Sequence, residues 1–217
     1  MSAPKRPAKA RWAAKPQPPG TPAPLSPREL SKLRTRQALV DAALELFTAQ
    51  GLDTPSLDAI CERAGCTRGA FYVHFRDRDE LIAAAMTARR HDVLATLLGA
   101  PDLSIERVLE LFATAVESGA FPPKGAVRSG ELVHACRRSK TVRDEQQRLV
   151  ADTLARVTAR VERGQAEGAT RSDVAARSLA LVLLLAEAGA ELWLDLGVSF
   201  DVRSAANALS ALLEARR

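Results

Sequence analysis

Apolar positions in this chain recur every three to four residues, and no stretch alternates in the way a half-buried strand requires, so the pattern predicts an all-α protein. Val40, Ala43, Leu44 and Phe47 form one such stripe. Ser26, Pro27 and Glu29 precede it as cap, first helical residue and capping-box partner, so a helix is expected from Pro27 to Gln50, stopping at Gly51. Leu57, Ile60, Cys61 and Ala64 share one face of a second, short helix, which Ser56 caps and Gly65 stops. Thr67 caps a third over Arg68–His74, in which Phe71, with Phe75 four residues on, points inward. Asp77, with Glu80 three residues later, opens a long fourth helix to about Leu98.

Beyond Gly99-Ala100-Pro101 the helical pattern continues. Ser104 opens a helix to about Ser118, and a break with Pro122-Pro123 follows. Further helices are expected over about 126–138, over 142–167 with Thr141 as cap, over 173–196 with Ser172 as cap, and over 202–216. The helix at 173–196 is aliphatic on most sides (Leu179, Leu181 to Leu185, Leu192 to Leu194), and such a helix must be buried on most sides. One subunit offers few partners to cover it, so a second copy is the expected cover. The helices at 173–196 and 202–216 would then form a twofold four-helix homodimer interface, with Ala186, Gly189 and Ala190 permitting close approach. A purely intrachain core is the alternative. The chain therefore divides into a tail (1–25), a first helical domain with its connecting helix (26–98), and a second helical domain (101–217).

Helix, short glycine turn, helix over Ser56–Arg78 is the outline of a DNA-reading helix-turn-helix. The second helix has suitable chemistry for a major groove. Arg68 can bond guanine at two points, and the small Gly69 and Ala70 allow close approach to base edges. Arg68, Ala70 and Val73 are the expected base readers. Ser56, Thr67, Tyr72, His74 and Arg78 are the expected phosphate-binding or positioning residues. A helical hairpin with no nucleic-acid role is the bland alternative.

The run TRQALVDAALELFTAQG from Thr35, then IcerAGctrGafYvHF, then Asp79-Glu80-Leu81, resembles the TetR family of transcriptional regulators. The ordered set is specific, although each piece alone is weak. It covers about a quarter of the chain strongly and the rest in outline. Pro55, Cys61, Cys66 and Val73 depart from the usual pattern, and the first helix starts earlier than the family's usual position at Thr35. The resemblance implies an N-terminal DNA-binding domain, a long helix joining it to a ligand-binding and dimerisation domain, and a dimer. Paired readers on a partly palindromic operator favour the same dimer. It also implies an apolar small-molecule effector, with Phe112, Val116, Phe121, His134, Glu187 and Trp193 as candidate pocket residues, each of which reads more readily as plain core. The implied function is that of a ligand-responsive regulator, a repressor, binding double-stranded DNA.

Charge adds one point. The formal net charge is +5 at pH 7. Lys5, Arg6, Lys9, Arg11, Lys15 and Arg28 face Glu29 alone within the first thirty residues, so the whole excess lies beside the reader. Residues 1–25 are rich in Pro, Ala and Lys and are expected to be disordered. Two readings of this tail stand, a solvated extension and an arm that adds salt-sensitive phosphate attraction. Lys32 and Arg36 likewise read either as phosphate contacts or as plain surface charge.

Other chemistry is sparse. Cys61, Cys66 and Cys136 have no metal spacing and read as buried small hydrophobes in a reducing compartment, with a redox switch at Cys61 and Cys66 the weaker reading. The N-terminus lacks the apolar centre of a signal peptide, and the longest apolar run, Leu179–Ala186, is too short to span a bilayer. A cytoplasmic location is expected. Glu131 and His134 make one Glu-x-x-His, half of a di-iron pattern that needs the pair twice. No catalytic set, cofactor or metal is expected. The alternative function is that of a non-specific, architectural DNA-binding protein driven by the basic tail.

Overall fold

The computed structural model describes residues 25–98, 103–121 and 127–215, and the expectations for the tail and for Pro122-Pro123 lie outside them. Among the described residues the elements run α1 (Pro27–Gln50), α2 (Leu57–Arg63), α3 (Arg68–His74), α4 (Arg78–Leu98), α5 (Ile105–Glu117), α6 (Ser129–Arg138), α7 (Lys140–Ala166), α8 (Ala176–Asp195) and α9 (Val202–Leu213). The fold is all-α. One isolated antiparallel bridge, Thr170 with Glu214, lies outside the helices.

Local chemistry sets most helix ends. Ser26 Oγ accepts from the Glu29 N–H (3.3 Å), and Glu29 reaches back to the Ser26 N–H (2.8 Å). This capping box starts α1 at Pro27, as its sequence predicts. Gly51, at φ +82°, ends the helix in a conformation that L side chains rarely adopt, and its N–H bonds the Phe47 carbonyl. Ser56, Thr67 and Ser104 accept from the N–H three residues on, fixing the starts of α2, α3 and α5. Asp77 caps α4 at the Glu80 N–H (2.8 Å). The Glu80 carboxylate completes the turn one residue early, on the Arg76 N–H.

Two starts differ from expectation. Ser139, not Thr141, caps α7, because its hydroxyl accepts from the Val142 N–H. It also ends α6, so a single buried serine joins the two helices. Helix α8 begins at Ala176, not Asp173, with no side-chain cap. The Gln165 amide donates to the carbonyls of Arg171 and Val174, and Arg171 pairs with Asp173 (2.7 Å). The Arg171 N–H also donates to the Leu213 carbonyl (2.8 Å), so this segment is tied to Gln165 and to the end of α9, and the helix starts after it.

The first core packs α1, α2, α3 and the start of α4 around Leu39, Phe47, Ile60, Phe71, Phe75 and Leu81. It also takes in Ala135 of α6 and Val142 of α7, so α6 lies directly on this head. A second core joins α5, α7, α8 and α9 around Val161, Leu179, Ala180 and Leu213. A smaller cluster, Ala113, Val202 and Ala206, joins α5 to α9.

Candidate nucleic-acid interface and cavity

The reader helix α3 is anchored on one side only. Phe71 and Phe75 are buried to 0% and 1% exposure, with ring centroids 5.6 Å apart. Their burial turns the rest of the helix outward. Tyr72 and Val73 are 57% and 61% exposed, although large apolar groups ordinarily seek the core. Thr67, Arg68 and Gly69 are exposed beside them, and Ala70 is half-buried. Thr67, Arg68, Gly69, Tyr72 and Val73 thus lie together on the solvent side of the reader. Arg68 pairs with Asp58 (3.2 Å) across the turn, with both side chains more than half exposed. An exposed pair of this kind is weak, and a stronger partner can displace it.

Ser56 and Thr67 use their hydroxyls on the Ala59 and Ala70 N–H groups, so their shown role is to set the helix starts. His74 is half-buried at the end of α3. Burial, then the charges of Lys32 and Arg36, hold its pKa below the usual histidine value. Those two cations therefore lie on the α1 surface nearest the reader. Arg36 stacks over the Phe75 ring, 4.9 Å from its centroid.

Arg78 departs from the phosphate half of its expected role. Its guanidinium turns inward and donates to the carbonyls of Leu52 (2.5 Å) and Pro55 (3.0 Å), above the Phe47 ring. The turn between α1 and α2 exposes carbonyls that no helix satisfies, and Arg78 is the donor that reaches them. It positions the reader from below.

The thiols are quiet. Burial and the neighbouring Cys66 push the Cys61 thiol up to about 11, leaving it protonated at neutral pH and a poor nucleophile. Cys136 is also raised by burial. No group of three His, Cys, Asp or Glu side chains suited to a metal occurs among the described residues. No described helix is long and apolar enough to cross a membrane.

A cavity of about 400 Å³ lies between α5, α7, α8 and α9. This is the size range and apolar character of small-molecule sites. Of the candidate pocket residues, Phe112, Glu187 and Trp193 line it. Val116 and Phe121 pack behind, Phe121 edge-on to Phe112 at 5.0 Å. His134 does not belong to it; it is exposed on α6. Ala186, Gly189 and Ala190 line the cavity, so their small size opens space inside the subunit. Phe200, Ala205 and Leu209 also line it. For Ala205 and Leu209 the signal in the sequence is only helical periodicity, which cannot separate a cavity wall from a packed core, and Phe200 lies in the connection before α9, where no periodicity marks it.

Residues 39–85 match the family model of bacterial regulatory proteins, tetR family. The HTH-type transcriptional regulator SrpR of Pseudomonas putida is 40% identical over 100 residues, covering 46% of this chain and 46% of SrpR. The chain thus spans about half the length of that relative. The uncharacterized HTH-type transcriptional regulator TtgW, also of Pseudomonas putida, is 40% identical over 100 residues, which is 46% of this chain and 73% of TtgW. The solved structure of the regulatory protein TetR from Rhodobacter sphaeroides superposes with a TM-score of 0.65 at 22% identity, covering 82% of this chain and 98% of that one. Its likeness concerns the fold. With a helix-turn-helix whose second helix faces solvent, with the family model matching the residues that build it, and with a relative 40% identical over 73% of its own length, the chain belongs to the tetR family of bacterial regulatory proteins, which are DNA-binding transcriptional regulators.

Proposed function

We propose that the protein is a dimeric repressor in the cytoplasm that binds a partly palindromic operator and releases it when a small apolar effector fills the cavity between α5, α7, α8 and α9. The observation that carries the DNA reading is the one-sided anchoring of α3. Phe71 and Phe75 fix the helix, while Arg68, Gly69, Tyr72 and Val73 face solvent together. Arg68, Ala70 and Val73 read bases. Tyr72, His74, Lys32 and Arg36 meet phosphate, and Ser56, Thr67 and Arg78 hold the geometry.

The dimer reading rests on α8 and α9. Leu181, Val182, Leu185 and Leu192 on α8, Leu196 just beyond its end, and Leu212 on α9 are each at least 45% exposed. A continuous apolar face of this kind favours a second copy over water. Two readers related by a twofold axis then address half-sites about one helical turn apart. An effector that favours a different spacing lowers operator affinity, and a coupling of ~1–3 kcal/mol changes it ~5–150-fold.

The test is selection of bound sequences from a random duplex pool by the full chain at physiological salt. A partly palindromic consensus is the expected result. Retention of all sequences alike, lost steeply with added salt, would favour the architectural alternative and refute this reading.

A further inference from the structure

The inward side of α1 changes chemistry where the helix leaves the head. Leu39, Val40, Ala43 and Phe47 lie on that side and are buried in the first core. Stepping back from Val40 by four residues reaches Arg36, Lys32 and Arg28, so the side that is apolar inside the head is cationic before it. Residues 25–34 are all exposed, and so is Arg36. The helix therefore runs about 18 Å, from Pro27 to Leu39, before it meets its core.

This overhang has a definite start without tertiary support. The capping box of Ser26 and Glu29, with Pro27 at the first helical position, holds its end. Glu29 is the one carboxylate in residues 25–36, and it is turned back on the Ser26 N–H and hydroxyl. Among the described residues no carboxylate lies within ion-pair distance of Arg28, Lys32 or Arg36.

Two contacts place the cationic side. Arg36 lies over the Phe75 ring at the end of α3, and the charges of Lys32 and Arg36 both bear on His74. The row thus flanks the reader, and Arg28 extends it outward by another turn. An inward face that another protein covered would be apolar, as it is from Leu39 onward. A row of exposed cations fits a polyanion instead, and the duplex addressed by α3 is the polyanion beside it.

We propose that the α1 overhang, Pro27–Arg36, is a second DNA contact, seating Arg28, Lys32 and Arg36 on the sugar-phosphate backbone outside the groove read by α3. Steps of four residues space the cations by about 6 Å along the helix, so each reaches a different phosphate. The contact adds affinity without base preference. Arg34 lies two residues from both Lys32 and Arg36, on the opposite side of the helix, and takes no part. The proposal deepens the DNA-binding reading and rests on it for the position of the half-site.

The experiment measures binding of the full chain, Arg28→Ala, Lys32→Ala and Arg34→Ala to a random-sequence duplex and to the selected operator across a salt series, with the thermal midpoint alongside. Each lost phosphate contact should reduce the slope of log affinity against log salt by ~0.9, which near 0.1 M salt is a ~8-fold loss. Arg28→Ala and Lys32→Ala should each show this on both duplexes alike, with the midpoint unmoved. Arg34→Ala removes the same charge and should leave the slope as it is. Unchanged slopes in Arg28→Ala and Lys32→Ala would overturn the proposal. So would an equal loss in Arg34→Ala, which would mean diffuse charge and no seated face. If the wild-type chain selects no operator, the repressor reading fails, and the slopes on the random duplex still decide whether the overhang touches DNA.

Discussion

Leu185 sits midway along the exposed face of α8 and is 64% exposed in the single chain. Replacing it with alanine tests the dimer without touching either core. Complete burial of a leucine side chain contributes ~1.5–3 kcal/mol. Scaled by the fraction still exposed, the side chain can contribute ~1–2 kcal/mol on association. A twofold interface contains the residue twice, so the dimer should lose ~2–4 kcal/mol. At ~1.4 kcal/mol per decade this weakens dimerisation ~30–700-fold. Sedimentation equilibrium across a dilution series reads this directly, and operator binding should become correspondingly more concentration-dependent. Leu212→Ala, at 63% exposure on α9, should behave alike. If neither variant alters the association constant, this face is not the interface, and the pairing of readers must be sought elsewhere.

Arg68→Ala should relax discrimination at one operator position by ~1–3 kcal/mol, whereas Tyr72→Phe should weaken all sequences alike; binding to single-base operator variants separates the two. His74 is held below the ordinary histidine value by burial and by Lys32 and Arg36, which favours the neutral ring in the free protein. Phosphate beside it would favour the protonated ring, so operator affinity should rise as pH falls from about 8 to about 6, and His74→Gln should flatten that profile. The fold responds in the opposite sense: because the folded value is depressed, the stability that the neutral ring contributes is complete above the unfolded value and is lost as pH falls through the folded one. Arg78→Met keeps the stem over Phe47 but removes the donors to the Leu52 and Pro55 carbonyls, which should cost ~1.5–3 kcal/mol in urea unfolding. An unchanged midpoint would mean that water replaces the guanidinium without loss.

What the sequence alone determined is what neighbours along the chain determine. Ser26 and Glu29, Ser56, Thr67 and Ser104 lie within three residues of the N–H groups they satisfy, so these helix starts follow from the order of residues. Phe71 and Phe75, one helical turn apart, fixed which side of α3 is inward and therefore which residues face solvent. The same short-range pattern carried the family. Tertiary structure decided the rest, wherever partners lie far apart in sequence. Gln165, and the Leu213 carbonyl that accepts from the Arg171 N–H, delay the start of α8, which cap rules placed at Ser172. Arg78 serves carbonyls 23 and 26 residues away, so the sequence could not choose between a phosphate contact and a positioning role for it. Glu131 reaches an amide 79 residues back. His134 and Phe112 look equally suited to a pocket in sequence, but only packing puts one at the cavity and the other in solvent. A backbone donor three residues away is present in every conformation of the chain. A partner eighty residues away exists only once the helices have packed, and the cavity and the contacts of α6 with the head are built from such partners.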